Sequence, residues 1–144
     1  MRLAIEQAKK ASRRDEVPVG AIIVLNNKVV AKAHNKRQTI GDASAHAEIV
    51  AIRKACKKIG NWRLLDCEMY VTLEPCAMCA GAAINSRLKN IFFGAYDEKA
   101  GCCGTLYNLP EDKRFNHIVR VTGGILKDEC AAILSEFFYN KRKK

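Results

Sequence analysis

Two short segments carry side chains suited to one piece of chemistry. Cys76 and Cys79 stand three apart directly after Pro75, and His46 and Glu48 stand two apart further upstream. At the start of a helix, a three-residue spacing puts two sulfurs on one face, within reach of a single ion. A helix N-terminus also offers unpaired N–H groups and partial positive charge, and both favour the thiolate, the form of cysteine that binds metal. His46 completes a set of three if the helix it opens points at the same spot. Two thiolates and a neutral imidazole balance Zn2+, and three protein ligands leave a fourth position open for water, the mark of a catalytic rather than a closed site. Water on such an ion reaches a pKa of about 7. Glu48 need not bind metal. A carboxylate beside that water can take its proton and pass it to a substrate nitrogen, general acid–base work typically worth ~10²–10⁴-fold in rate. Hydrolytic removal of an amine requires this pair, a hydroxide for a ring carbon and a proton for the departing ammonia.

Each piece alone is ambiguous. A lone C-x-x-C also occurs as a redox pair or as half of a structural zinc site, and a lone His-x-Glu carries less still. Their conjunction, each opening a helix after strand-like sequence, favours the catalytic reading. The bland rival is a closed Cys₃His site with Cys67 or Cys56 as fourth ligand.

The elements that must position these residues follow from the pattern along 144 residues, read as one domain, 1–144. With 49% apolar and 28% charged residues the chain can bury a core. Residues 3–14 have a helical apolar face, without a cap signal at the start. Residues 17–25 read as a buried strand, Asn26-Asn27 as a hairpin turn, and 28–33 as the returning strand. A polar loop over 34–44 precedes a helix over 45–59, with Ser44 as N-cap and Gly60 as its stop. A strand over 67–73, a small-residue helix over 76–86, a strand over 90–95, a Gly-containing loop over 96–110, a short strand over 118–121 and a helix over 128–142 complete the chain. Alternating strands and helices give a layered α/β fold.

Lys+Arg is 25 and Asp+Glu 15, a net +10 that favours polyanions. No apolar stretch approaches the ~18–20 residues that span a bilayer, and the opening residues are charged too early for a signal peptide. A cytoplasmic location is the expectation. Seven cysteines there are thiols or ligands rather than a disulfide framework.

His46-Ala47-Glu48, with Thr72-Leu73-Glu74-Pro75-Cys76-Ala77-Met78-Cys79-Ala80-Gly81-Ala82, resembles the known signature of zinc base deaminases in the cytidine deaminase-like superfamily. Flanking segments narrow the resemblance to bacterial tRNA-specific adenosine deaminases. These are Glu16-Val17-Pro18-Val19-Gly20-Ala21, Asn61-Trp62-Arg63-Leu64, Phe93-Gly94-Ala95 and Asp128-Glu129-Cys130-Ala131. The resemblance implies a three-layer α-β-α fold around a mixed sheet of about five strands. It implies one zinc per subunit on His46, Cys76 and Cys79, with Glu48 as proton shuttle. The implied reaction is hydrolysis of adenosine to inosine at the wobble position of a tRNA anticodon. Asn35 is implied to hydrogen-bond the target base, its amide offering donor and acceptor together; the alternative is a turn residue. A homodimer whose RNA touches both subunits is implied as well. The resemblance also implies a longer first helix, with aromatic positions ahead of Met1.

Zinc deaminases of free nucleosides and bases share this chemistry, so the metal motif does not choose the substrate. A zinc-stabilised RNA-binding module without catalysis is the reading from another class. Arg53, Lys54, Lys57 and Lys58 on one helix, and Phe137-Phe138-Tyr139 before Lys141-Arg142-Lys143-Lys144, favour RNA, since cations beside aromatic faces suit unstacked bases. An anticodon loop presents its bases already outside a duplex, which keeps the cost of flipping low. The loop over 96–108 is a candidate for substrate or dimer contacts. Cys102, Cys103 and Cys130 read as packing residues, and His34 and His117 as loop or core histidines.

Overall fold

A computed structural model of the chain describes residues 1–143; Lys144 of the basic tail lies outside them. Five strands form one sheet in the order β2-β1-β3-β4-β5. They are β1 (Gly20–Leu25), β2 (Lys28–His34), β3 (Cys67–Leu73), β4 (Asn90–Ala95) and β5 (Arg120–Thr122). The β1–β2 hairpin closes through Asn26 and Asn27, both at positive φ, as the Asn pair predicts. β1 is antiparallel to β2 and β3, whereas β3, β4 and β5 run parallel.

The helices are α1 (Arg2–Arg13), α2 (Arg37–Ile40), α3 (Ala47–Ile59), α4 (Ala77–Asn85) and α5 (Lys127–Arg142). α1 and α5 pack together on one face of the sheet, α3 and α4 on the other. This is the three-layer α-β-α arrangement. The larger core joins Ile23, Met69, Val71, Ile91 and Phe93 of the sheet to Ala47, Ala51, Ala55, Ala80 and Ala83 of α3 and α4. Small helix residues let the backbones approach closely. On the other face α1 buries Ala4, Ala8 and Ala11, and Gly20 gives it room: a Cβ there would stand 2.0 Å from Ala4 O.

Four expectations shift. β1 starts at Gly20 rather than at 17, because Pro18 has no N–H for a ladder; the Val17 carbonyl instead accepts from the N–H of Val19. Ser44 is not the N-cap of α3. Its hydroxyl donates to Asp42, and His46 takes the cap position in extended conformation. The polar loop contains the short α2. β5 begins two residues later than expected, Val119 being wholly buried beside it. β3, β4 and the αL stop at Gly60 lie where the sequence puts them.

Register decides what meets at the sheet's end. Gly20 pairs with His34, Ala21 with Val71, and Leu73 with Ala95. The entry to β1 and the exits of β2, β3 and β4 therefore lie along one sheet edge. The next residues out are Val19, Asn35, Glu74 and Tyr96.

Candidate active site

Two helix N-termini open on that edge. His46 is the N-cap of α3 and Cys76 the N-cap of α4, both extended, and Cys79 sits in the first turn of α4. The ligand atoms of the three side chains all lie within 4.8 Å of one another. His46 Nδ1 is 3.7 Å from Cys76 Sγ and 3.5 Å from Cys79 Sγ. A tetrahedral zinc with Zn–N about 2.1 Å and Zn–S about 2.3 Å holds neighbouring ligand atoms about 3.6 Å apart. The donor set and its spacing fit zinc. Cys56 and Cys67 stay out of the group. Cys67 begins β3 and Cys76 follows its far end, so the seven residues of the strand, about 3.3 Å each, separate them. The closed Cys₃His site expected as the rival is not formed among the described residues.

The thiols polarise one another. The Cys79 thiol, the His46 ring and the Cys79 N–H hydrogen-bond Cys76 and bring it down to about 4, against its burial. Cys79 is pushed up in turn, first by that shared bond and then by burial. His46 is raised by its bond to Cys76, against burial and with help from nearby Glu48.

Glu48, in the first turn of α3, is 4% exposed and faces the same cavity. Burial pushes its carboxyl up, towards the protonated form a proton carrier must be able to hold. The cavity is about 140 Å³ and is lined by residues from five segments. Val17 and Val19 precede β1, Asn35 and Arg37 follow β2, Leu73, Glu74 and Cys76 follow the β3 core, and Asp97 and Ala100 follow β4. His46, Ala47 and Glu48 supply the rest.

Asn35 is buried and serves two ends. Its Nδ2 donates to Val17 O at 3.2 Å and its Oδ1 accepts from Arg37 N–H at 3.0 Å, so it is a turn residue. It also lines the cavity, with one amide hydrogen and one lone pair to spare.

Two buried carboxylates fasten the surrounding segments, and sequence reasoning assigned neither. Glu16, fully buried, accepts from Gln38 N–H at 3.0 Å and from both the N–H and the hydroxyl of Thr39 at 2.6 Å. Burial pushes it up, but these bonds outweigh burial and hold it below the usual glutamate value. Glu74, 2% exposed, accepts from the N–H groups of Asp97, Cys103 and Thr105 and from the Thr105 hydroxyl. It too stays below the usual value despite burial. Both stand within the segments that carry the family resemblance, Glu16 before Val17-Pro18 and Glu74 before Pro75, but no local pattern marks either as a buried acceptor.

The other histidines stay away from the metal group. His34 contacts Asn35 O, and the His117 ring contacts Leu88 O at 2.8 Å. Cys102, Cys103 and Cys130 are buried. Of the aromatic run, Phe137 is core, while Phe138 and Tyr139 are exposed at 44% and 53%. Arg53, Lys54, Lys57 and Lys58 are all exposed. No helix among the described residues is long and apolar enough to cross a membrane.

A family model described as MafB19-like deaminase matches residues 1–142. A tRNA-specific adenosine deaminase of Bacillus subtilis (strain 168) is 51% identical over 144 residues, all of this chain and 89% of the relative. One from Haemophilus influenzae is 44% identical, over all of this chain and 84% of its own length. A solved structure from a study of A-to-I editing by tRNA:A34 deaminases superposes with a TM-score of 0.90 at 40% identity, covering 93% of this chain and 97% of the other. With a family model matching nearly every residue and relatives this similar from end to end, the chain belongs to the deaminase family that includes the tRNA-specific adenosine deaminases.

Proposed function

We propose that this protein hydrolyses adenosine to inosine at the wobble position of a tRNA anticodon. The observation that carries the reading is the gathering of His46, Cys76 and Cys79 around one point, with the Glu48 carboxyl facing the same small cavity. His46, Cys76 and Cys79 would hold one zinc ion per subunit, which when bound supplies Lewis acidity and an activated water. Glu48 takes a proton from the attacking water, hands it to the purine ring nitrogen, and delivers a proton to the amine that leaves as ammonia. Asn35 holds the purine edge with its spare donor and acceptor. Val17, Val19 and Leu73 give the base an apolar slot and exclude bulk water.

Relatives named for tRNA support the substrate, as does a chain carrying +10. An anticodon loop needs little unstacking to present a base. We further propose that the whole chain works as one domain, in the cytoplasm, as a homodimer whose RNA touches both subunits. Tyr139 and the basic tail beside Phe138 serve as the base-stacking and phosphate-contacting end of α5.

The experiment is the Glu48→Ala variant. Zinc content should stay at one per chain while sequencing of treated tRNA loses its A-to-G reads at the anticodon first position. Normal turnover by the variant removes Glu48 from the mechanism. Ammonia release from free guanine or cytidine, with none from tRNA, replaces the substrate class.

A further inference from the structure

The loop after β4 contributes Asp97 and Ala100 to the cavity, yet it contains no helix or strand of its own. Its internal backbone bonds are Gly101 N–H to Asp97 O, Leu106 N–H to Gly101 O, Gly104 N–H to Tyr107 O and Leu109 N–H to Cys102 O, and one backbone bond, Cys102 N–H to Pro75 O at 2.9 Å, ties it to the cysteine turn. The side chain that gathers the rest of it is a carboxylate from another element. Glu74 Oε1 accepts from Asp97 N–H and the Thr105 hydroxyl, and Oε2 accepts from the N–H groups of Cys103 and Thr105. Four donors fill the four lone-pair sites a carboxylate has. Among the described residues no Lys or Arg pairs with Glu74, so these dipoles compensate its buried charge. The loop is folded tightly around it: a Cβ on Gly101 would stand 2.4 Å from Glu74 Cδ. Glu74 itself is anchored, its N–H bonded to Ala95 O at 2.8 Å, and it stands two residues before Cys76.

We infer that Glu74 is a positioning residue for substrate binding, a buried carboxylate that suspends the 97–105 loop from the turn that carries the cysteines. This rests on the proposed deaminase reading of the cavity. Asp97, the first of the loop's two acids, spends one carboxylate oxygen on the N–H groups of Lys99 and Ala100, which sets the stretch that faces the cavity. Glu74 holds the backbone of that stretch in place. Its carboxylate touches neither the reacting atoms nor the metal group. Loosening it therefore frees the cavity wall and leaves His46, Glu48 and Cys76 where they are.

The test compares Glu74→Gln and Thr105→Val with the parent, all zinc-loaded, on an anticodon hairpin. A glutamine keeps one acceptor oxygen; on its amide side the Thr105 hydroxyl can turn and accept, but Asp97 N–H faces another donor. Loss of that one bond to a charged acceptor should raise KM about tenfold. The expected kcat stays within about threefold and the zinc content stays at one per chain. Thr105→Val, which keeps all three backbone bonds, should raise KM about threefold, and it carries the test if Glu74→Gln does not fold. Hydrogen exchange at Asp97, Cys103 and Thr105 should accelerate while the amides of β3 and β4 keep their protection. Unchanged exchange at the three amides overturns the anchor. Faster exchange with unchanged KM overturns the link to substrate, and a kcat that falls in step with zinc content assigns Glu74 to the metal turn instead. A parent that makes no inosine in RNA defeats the functional reading, and the exchange measurement still decides whether Glu74 holds the loop.

Discussion

Removing the Glu16 carboxylate should weaken the protein in proportion to the hydrogen bonds it makes, and only where the carboxylate is ionised. Glu16→Ala strands three donors, Gln38 N–H, Thr39 N–H and the Thr39 hydroxyl. A buried donor left without its partner costs about 1–3 kcal/mol. Gln38 and Thr39 are exposed on their outer sides, so water reaches these donors and the lower figure applies to each. The sum is about 3 kcal/mol, a large share of the ~5–15 kcal/mol typical of a domain. For a chain of this size that corresponds to a Tm lowered by about 10 °C. Thr39→Val removes only the hydroxyl and should cost about 1 kcal/mol. Because the 37–39 turn carries Arg37 and braces Asn35, kcat/KM on RNA should fall as well.

The pH dependence separates this account from simple loss of volume. The folded Glu16 is held below the ordinary glutamate value, so the folded state binds its proton less readily than the unfolded chain does. Its contribution is complete above the ordinary value of about 4.3, declines as pH falls from there, and is gone below the folded value. Urea unfolding of parent and variant at intervals between pH 7 and pH 3 measures the difference. It should be constant from pH 7 to about pH 5 and shrink below that. A difference that stays the same down to pH 3 would refute the reasoning and assign the whole effect to the missing side-chain volume.

Two further predictions rest on separate features. Gly20→Ala brings a Cβ to 2.0 Å from Ala4 O and 2.6 Å from Ala8 N, both backbone atoms of α1. The helix must lift, so the urea midpoint should drop by the equivalent of about 3 kcal/mol or more, and a cost under about 1 kcal/mol would contradict the packing. RNA binding should weaken linearly on a log–log plot against salt, by about 0.7 for each phosphate neutralised on a single strand; the pair Arg142→Ser and Lys143→Ser should flatten the slope by about 1.4, and a salt-independent affinity would defeat the polyanion reading.

The sequence exposed the group of His46, Cys76 and Cys79 more readily than the cavity around it, for a physical reason. Two cysteines at a helix start obey a local rule, since the spacing of Cys76 and Cys79 alone brings their sulfurs together. The strands over 67–73 and 90–95 were equally legible, because a buried strand between turn residues is a local pattern too. The hairpin at Asn26-Asn27 follows from one residue type tolerating positive φ. Val17, Arg37, Asp97 and Ala100 obey no such rule. They line the cavity because the pairing of Gly20 with His34 and of Leu73 with Ala95 brings four chain segments to one edge. Register is a property of the assembled sheet. The misplaced N-cap shows the same limit. Ser44 has the better capping side chain, but its hydroxyl is taken by Asp42, and the helix begins where His46 must turn towards the sulfurs.

The arrangement divides its labour in a way that follows from these distances. Neither helix N-terminus has a capping oxygen, His46 and Cys76 standing where a Ser or Asp would normally bond the first N–H groups. Uncapped ends retain their positive potential, and here two of them meet at a group of thiols and beside a buried carboxylate. A Ser or Asp at either position would have quenched that potential and removed a side chain of the group. The stability forgone at the helix starts is recovered beside the site, where Glu16 and Glu74 satisfy seven donors from α2 and the loop after β4. Segments pinned by Glu16 and Glu74 keep the two helix starts together without a capping oxygen at either, so these two carboxylates support the geometry in which Glu48 is proposed to act.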